Sequence, residues 1–147
     1  MAKTAIAFDF FNEIGIIDQL AGTILERALP AGMTRAQFAV LNHFVRLDHH
    51  DRSPAQLASA FQVTRPTMTS TLSRLARDGL VAIRDDPADG RAKLVSLTPQ
   101  GRAARDAAMI AVGTVLPLLD GILDPGEVET ILPILRRLRM ALDAARD

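Results

Sequence analysis

The chain has 147 residues, the size of one ordinary domain, and 48% of them are hydrophobic, which is enough to build a core. The absence of cysteine excludes disulfides, thiolate metal sites and cysteine-based redox sensing. The 17 basic and 17 acidic residues give a net charge of zero, which taken alone argues against a nucleic-acid binder.

The N-terminal stretch contains Asp9, Glu13 and Asp18 before any long apolar run develops. We therefore expect neither a secretory signal peptide nor a membrane span there. Together with the lack of cysteine, this favours a cytoplasmic protein.

Helix-start motifs predict about six helices, and one β-hairpin lies among them. The first helix is predicted over 8–29, where apolar residues recur at helical spacing. The later helices follow capping residues, which are Thr34, Ser53, Thr64, Thr98 and Asp124. The last two are predicted over 99–119 and 125–142, and each begins with proline at its first position.

Two of these helices, predicted over 53–61 and 64–78, are joined by Gln62 and Val63 alone, which is typical of a helix-turn-helix. Gly79 ends the second helix as a left-handed stop. The second helix also has two faces. Its apolar stripe of Met68, Leu72 and Leu75 would seat it on a core. The other face carries hydroxyl and arginine side chains, from Thr64, Arg65, Thr67, Thr69, Ser70, Ser73, Arg74 and Arg77.

This polar face favours contact with the major groove of DNA. Small hydroxyls approach base edges and phosphates closely, and arginine can bind guanine through two parallel hydrogen bonds. The alternative is a solvated helix face. Such a face normally uses Glu and Lys, which form helices better than Ser and Thr, and no acid occurs between Thr64 and Arg77.

A β-hairpin is predicted directly after this helix, with strands over 80–84 and 93–97 and a tip over 85–91. A hairpin in this position is a wing, which places an arginine in the neighbouring minor groove. We expect Asp89 to form a hydrogen bond within the tip and to orient the guanidinium of Arg91, with Asp85 and Asp86 at the strand end. The alternative is that these aspartates only solubilise a turn.

The charges are concentrated around these elements. The segment 52–105 carries nine basic and four acidic residues, a net charge of +5, and the rest of the chain carries −5. This asymmetry indicates a basic working surface on a neutral scaffold. The alternative is ordinary variation over a short segment.

The stretch "RAQFAVLNHF" and the stretch "SPAQLASAFQVTRPTMTSTLSRLARDGLVAIRDDPADGRAKLVSLTPQGR" resemble the MarR family of bacterial winged-helix transcription regulators. The similarity is strong over about 34–105, and "DPADGRAKLVSLTPQGR" is its most specific motif. The chain departs from many relatives at Ala88 and Gly90, where they carry arginine, so that this wing is less basic.

The resemblance implies a mainly α fold, in which a winged helix-turn-helix at 34–105 is flanked by helices at 1–33 and 106–147. Those helices would intertwine with a second copy as a dimerisation region. It implies a transcription regulator and not an enzyme, mostly a repressor, which binds a pseudo-palindromic operator in double-stranded DNA as a homodimer. It implies no cofactor, but a small, often aromatic effector. By position it assigns DNA contacts to Thr64, Arg65, Thr67, Thr69, Ser70, Arg74, Arg77, Asp89 and Arg91.

Two smaller sites follow from the remaining residues. Phe11, Phe38, His43 and Phe44 would form an apolar effector pocket with one polar group, although these residues also suit a plain core. The histidines His43, His49 and His50 are a weak metal hypothesis, because adjacent histidines point in different directions and loop histidines are usually solvated. We expect no metal site.

Two other functional classes remain as alternatives. An enzyme would need a base with an orienting partner near a serine or threonine, and no such arrangement occurs in the sequence. A helical interaction protein that has lost DNA binding would agree with the zero net charge and the less basic wing. Salt-dependent DNA affinity separates this alternative from a regulator.

Overall fold

The computed structural model describes residues 2–146, which form two compact units that divide between Val115 and Leu116. The first unit contains α1 (Ala2–Ala28), α2 (Arg35–Arg46), α3 (Pro54–Phe61), α4 (Arg65–Arg77), β1 (Val81–Asp86), β2 (Asp89–Leu97) and α5 (Pro99–Gly113). The second unit contains a short 3-10 helix, Leu116–Leu119, and α6 (Pro125–Ala144). The mainly α fold with a hairpin behind a helix-turn-helix is confirmed.

The capping motifs begin the helices where the sequence predicts. At α2, the Thr34 hydroxyl accepts the backbone N–H of Gln37 at 3.2 Å, and the Gln37 side chain accepts the Thr34 N–H at 2.8 Å. The same reciprocal pair begins α3 and α6, and Thr64 and Thr98 cap α4 and α5 through their hydroxyls. Each cap satisfies N–H groups that the first helical turn leaves free.

Helices α2, α3 and α4 pack around one apolar core, which the hairpin completes. The buried members of this core are Val40, Leu41, Phe44, Leu57, Ala58, Met68, Leu72, Leu75, Val81 and Val95. The three apolar residues of α4 are therefore seated as predicted, and the turn before α4 passes through Gln62 in a left-handed conformation.

The predicted start of α1 and the predicted end of α5 are wrong. Helix α1 begins at Ala2, six residues before the predicted start, because no breaker interrupts the sequence ahead of Phe8. Helix α5 ends at Gly113 and not at residue 119. Glycine weakens the helix there, and Pro117 has no N–H to donate to the carbonyl of residue 113.

The hairpin strands are longer than predicted, and only Pro87 and Ala88 lie between them. The predicted tip over 85–91 is thus wrong, and both Asp89 and Arg91 belong to β2. On its other edge, β2 pairs with Arg52, since the backbone groups of Arg52 and Val95 exchange hydrogen bonds of 2.9 and 2.8 Å. Strand β2 therefore lies between β1 and the segment that leads into α3.

Candidate nucleic-acid interface

Helix α4 presents one polar face to solvent. Its three apolar residues, Met68, Leu72 and Leu75, are at most 3% exposed. All eight residues predicted to contact DNA from this helix are exposed: Thr64, Arg65, Thr67, Thr69, Ser70, Ser73, Arg74 and Arg77. The fold thus brings the predicted contact residues onto a single accessible surface.

The hydroxyl groups of this face have two different roles. The Thr64 hydroxyl caps the helix, accepts the Thr67 N–H at 3.3 Å and lies 2.8 Å from the Thr67 hydroxyl. In the described part of the chain, Thr69, Ser70 and Ser73 have no side-chain hydrogen-bond partner. Their hydroxyls therefore remain available to a ligand of this face, whereas Thr64 and Thr67 already hold the helix start.

The arginines of this face also differ from one another. Arg77 is held by Asp78, with Nε 3.0 Å from Oδ1, and this hydrogen bond and the carboxylate charge raise the pKa of Arg77. Arg65 and Arg74 have no ion-pair partner among residues 2–146. The sequence pattern does not distinguish the three arginines. Within the described residues, only the charges of Arg65 and Arg74 are not compensated by a carboxylate.

At the end of the hairpin, the aspartates bind the backbone of the turn. Asp86 accepts the N–H of Ala88 at 2.9 Å, and Asp89 accepts the N–H of Arg91 at 3.1 Å. The hydrogen bond of Asp89 within the hairpin end is confirmed, but it lies on the backbone and not on the guanidinium. Whether Asp89 orients the Arg91 side chain stays a prediction; that side chain is exposed and has no ion-pair partner within the described residues.

The remaining charges of the hairpin are paired. Lys93 lies 2.5 Å from Asp85 across the two strands, and this hydrogen bond and the lysine charge lower the pKa of Asp85. Arg84 lies 2.6 Å from Asp51, which precedes α3. No sequence pattern indicates this second pair, because its members are 33 residues apart.

The ion pairs show which basic residues of the segment 52–105 carry charge that no carboxylate compensates. Within the described residues, Arg77, Arg84, Lys93 and Arg105 have carboxylate partners, and Arg52 contacts His49. Neither a carboxylate nor a histidine partner occurs within the described residues for the other four basic residues, Arg65, Arg74, Arg91 and Arg102. The unpaired cations thus include those of the exposed α4 face and the wing.

A cavity of about 250 Å³ lies between the end of α1, α2 and the last residue of α3. It is lined by Leu25, Arg35, Phe38, Ala39, Asn42, His43, Arg46 and Phe61. Of the predicted pocket residues, Phe38 and His43 line it. Phe44 lies in the core at 1% exposure, and Phe11 is exposed on α1. The sequence did not indicate Phe61 and Arg46, which only the packing of α3 against α2 brings together.

The cavity is apolar with a cationic rim. Arg46 has no ion-pair partner among the described residues, whereas Arg35 pairs with Asp18 of α1. Burial lowers the pKa of His43 from 6.5, and His49, Arg46 and Arg52 lower it further. The lowered pKa favours the neutral ring of His43 near pH 7, which donates a hydrogen bond at one nitrogen and accepts one at the other.

The described residues contain no group of three or more metal-binding side chains. The ring nitrogens of His49 lie 2.6 and 2.8 Å from a guanidinium nitrogen of Arg52, a neighbour that disfavours a metal cation. No helix within residues 2–146 has the length and hydropathy needed to cross a membrane.

Comparison with known proteins places this geometry in a family. Residues 31–92 match the sequence model described as "MarR family". The transcriptional repressor NicR of Pseudomonas putida is 33% identical over 113 residues, which cover 77% of this chain and 70% of NicR.

Two solved structures are similar over most of the chain. BpsR of Bordetella bronchiseptica, from a study of the regulation of its DNA binding by 6-hydroxynicotinic acid, superposes with a TM-score of 0.74 at 28% identity, over 89% of this chain and 98% of BpsR. A mutant MarR from E. coli complexed with operator DNA gives 0.73 at 28% identity, over 88% and 93% of the two chains.

These relatives are transcription regulators of a non-enzymatic family, which confirms that the chain is not an enzyme. Both the arrangement of helix-turn-helix and hairpin and the sequence similarity agree with that family. The chain therefore belongs to the MarR family of transcription regulators, and its activity is DNA binding.

Proposed function

We propose that this regulator is a ligand-responsive repressor that acts in the cytoplasm as a homodimer on a pseudo-palindromic operator. The observation that carries the proposal is the exposed face of α4. Within the described residues, Arg65 and Arg74 have no ion-pair partner there, and three hydroxyls have no hydrogen-bond partner. A helix of about 10–12 Å diameter fits the major groove, which is about 12 Å wide.

On this proposal, the two DNA elements have separate tasks. Thr69, Ser70 and Arg74 contact base edges and phosphates in the major groove and set the sequence preference. Arg91 enters the adjacent minor groove, where the potential of DNA is most negative. Asp89 contributes indirectly, because its carboxylate accepts the backbone N–H of Arg91 and so fixes the backbone at that residue.

The homodimer is supported by exposed apolar residues on helices outside the winged region. On α1 they include Ile6, Phe8, Phe10, Phe11, Ile17 and Leu20, and on α6 they include Val128, Ile131, Leu132, Ile134, Leu135 and Leu142. So many exposed large apolar side chains on two helices are unfavourable in water and are typical of a subunit interface. We assign dimerisation to 1–33 and 106–147. In the proposed dimer, the two α4 helices lie about 34 Å apart, which is one turn of DNA.

The effector is proposed to be a small aromatic anion bound in the cavity beside α2. Phe38 and Phe61 would contact an aromatic ring, and the unpaired guanidinium of Arg46 would bind its carboxylate. A relative of known structure, BpsR, has its DNA binding regulated by 6-hydroxynicotinic acid, which is such a compound.

Selection of binding sites from a pool of random DNA duplexes tests this function and does not require the regulated genes to be identified. We expect the protein to enrich an inverted repeat whose half-sites are about one helical turn apart. Enrichment of no sequence would contradict sequence-specific repression. An interaction protein that has lost DNA binding would give this second result.

A further inference from the structure

Both edges of β2 are paired, and one of them joins the wing to the rest of the first unit. Strand β1 pairs with one edge, and Arg52 pairs with the other through its two backbone hydrogen bonds to Val95. Asp51, the residue before Arg52, therefore lies beyond β2 as seen from β1. The segment that contains Asp51 thus borders the two-stranded wing sheet through the isolated bridge at Arg52.

An ion pair joins β1 to the segment on the far side of β2. Arg84 of β1 reaches Asp51, with a nitrogen–oxygen distance of 2.6 Å, so that its side chain spans β2. Arg84 pairs with Leu94 in the strand register and thus lies on the opposite sheet face from Val95, which is buried in the core. The core holds one face of the wing, and the Asp51–Arg84 pair holds the other.

This contact differs from the other ion pair of the wing. Lys93 and Asp85 are cross-strand partners within the hairpin, so that their interaction stiffens the hairpin without fixing its direction. Asp51 belongs to the segment ahead of α3 and is the only described carboxylate outside the hairpin that pairs with one of its residues. Among the described ion pairs, this is therefore the one that ties the hairpin to the segment ahead of α3.

We propose that Asp51 and Arg84 are positioning residues for DNA binding, which fix the angle of the wing so that Arg91 meets the minor groove while α4 occupies the major groove. This inference rests on the proposed DNA contact of Arg91. Arg84 is then a clamp and not a phosphate ligand, although it is basic and lies in the basic segment. Its charge is already compensated before DNA arrives.

Replacing Asp51 tests the proposal, because a purely electrostatic role and a positioning role predict opposite changes in DNA affinity. If Asp51 were only a negative charge, Asp51→Ala would strengthen DNA binding. Positioning predicts that Asp51→Ala weakens it about tenfold, as Arg91→Ala does, since both changes remove the same contact. The matched control is Asp85→Ala, which removes an equal charge from the hairpin and should leave affinity unchanged or raised.

The experiment measures dissociation constants for the selected duplex by fluorescence anisotropy, with the melting temperature of each variant. Both members of the pair are at least 37% exposed, and such ion pairs contribute little to folding stability, so the melting temperatures should barely change. Arg84→Ala and the Asp51→Ala/Arg84→Ala double variant should weaken binding by the same factor as Asp51→Ala, because all three break one contact.

The charge-swapped protein Asp51→Arg/Arg84→Asp keeps the net charge and should recover most of the parent affinity. The inference is overturned if Asp51→Ala binds as tightly as the parent or more tightly, or if the swapped protein stays as weak as the single variants. Failure of the proposed function gives a different result, since Arg91→Ala would then leave the affinity unchanged.

Discussion

At the scale of single residues, chemically similar side chains have different roles because their neighbours differ. Arg77 and Arg74 both lie on the exposed face of α4. Asp78 binds Arg77, whereas Arg74 has no ion-pair partner in the part of the chain that the structure describes. The composition of the face was predictable from the helical period. Which arginines of the face lack an ion-pair partner within the described residues could not be predicted, because ion pairing depends on side-chain conformation.

Arg74→Ala should therefore change sequence preference more than Arg77→Ala. Loss of a free guanidinium that binds a base removes about 1–3 kcal/mol of discrimination at that base pair. Loss of Arg77 removes a charge that Asp78 already compensates. Binding-site selection with each variant measures this, and equal profiles for the two variants would show that α4 does not use Arg74 as proposed.

The histidines beside the cavity predict a pH dependence of stability. Burial and neighbouring charges lower the pKa of His43, and desolvation together with Arg52 lowers the pKa of His49, both from 6.5. The folded state therefore prefers the neutral rings, and protonation favours unfolding. The stability that this preference provides is complete above pH 6.5 and is lost as the pH falls from there through the folded-state pKa values.

Denaturant unfolding at pH 8, 6.5 and 5 measures this effect. The parent should lose free energy of unfolding between pH 6.5 and 5, and the double variant His43→Gln/His49→Gln should lose less. Equal losses in the two proteins would assign the pH dependence to the carboxylates instead.

At the scale of elements, helix starts were predictable because capping depends on residues three apart in sequence. Thr34 with Gln37, and Ser53 with Gln56, form the predicted reciprocal bonds. The hairpin end and the end of α5 were not predictable to the residue. Asp86 and Asp89 supply hydrogen bonds that let the strands continue, and this depends on the three-dimensional turn.

Gly101 shows how one glycine fixes the junction between β1 and α5. A Cβ at this position would overlap the carbonyl oxygen of Leu80, which accepts the N–H of Thr98. Glycine within a helix usually lowers stability relative to alanine, but here the close approach reverses the sign. Gly113 in the same helix has no atom within 4 Å of such a Cβ.

Gly101→Ala should lower the free energy of unfolding by about 1–3 kcal/mol, because the backbone at Leu80 must shift. Gly113→Ala should leave it unchanged or raise it by up to about 1 kcal/mol. Urea unfolding of both variants measures the difference. A stabilised Gly101→Ala protein would mean that α5 does not approach the end of α4 this closely.

At the scale of the whole molecule, the exposed apolar residues of α1 and α6 agree with a protein that functions as a dimer. The sequence indicates this through apolar residues at helical spacing on terminal helices. The ion pair between Asp51 and Arg84 has no comparable pattern. Contacts between distant segments depend on the fold and not on a local period.

Phe8→Glu, on the exposed surface of α1, should shift the protein toward monomers and weaken operator binding. A buried charge at a subunit interface is costly unless it is paired. Sedimentation at micromolar concentration measures the mass. Leu47→Glu, which changes an exposed apolar residue outside α1 and α6, is the matched control and should remain dimeric. Dimeric Phe8→Glu would exclude this part of α1 from the interface.

On the proposed function, the exposed face of α4 and the wing bind DNA through cations that have no ion-pair partner within the described residues. The salt dependence of the dissociation constant for the selected duplex tests this most directly. Each protomer places the three cations Arg65, Arg74 and Arg91 against the DNA, and together they should displace the counterions of roughly six phosphates per dimer. The logarithm of affinity should then fall against the logarithm of salt with a slope of about −5. A slope near zero, or the absence of binding at low salt, would contradict the claim.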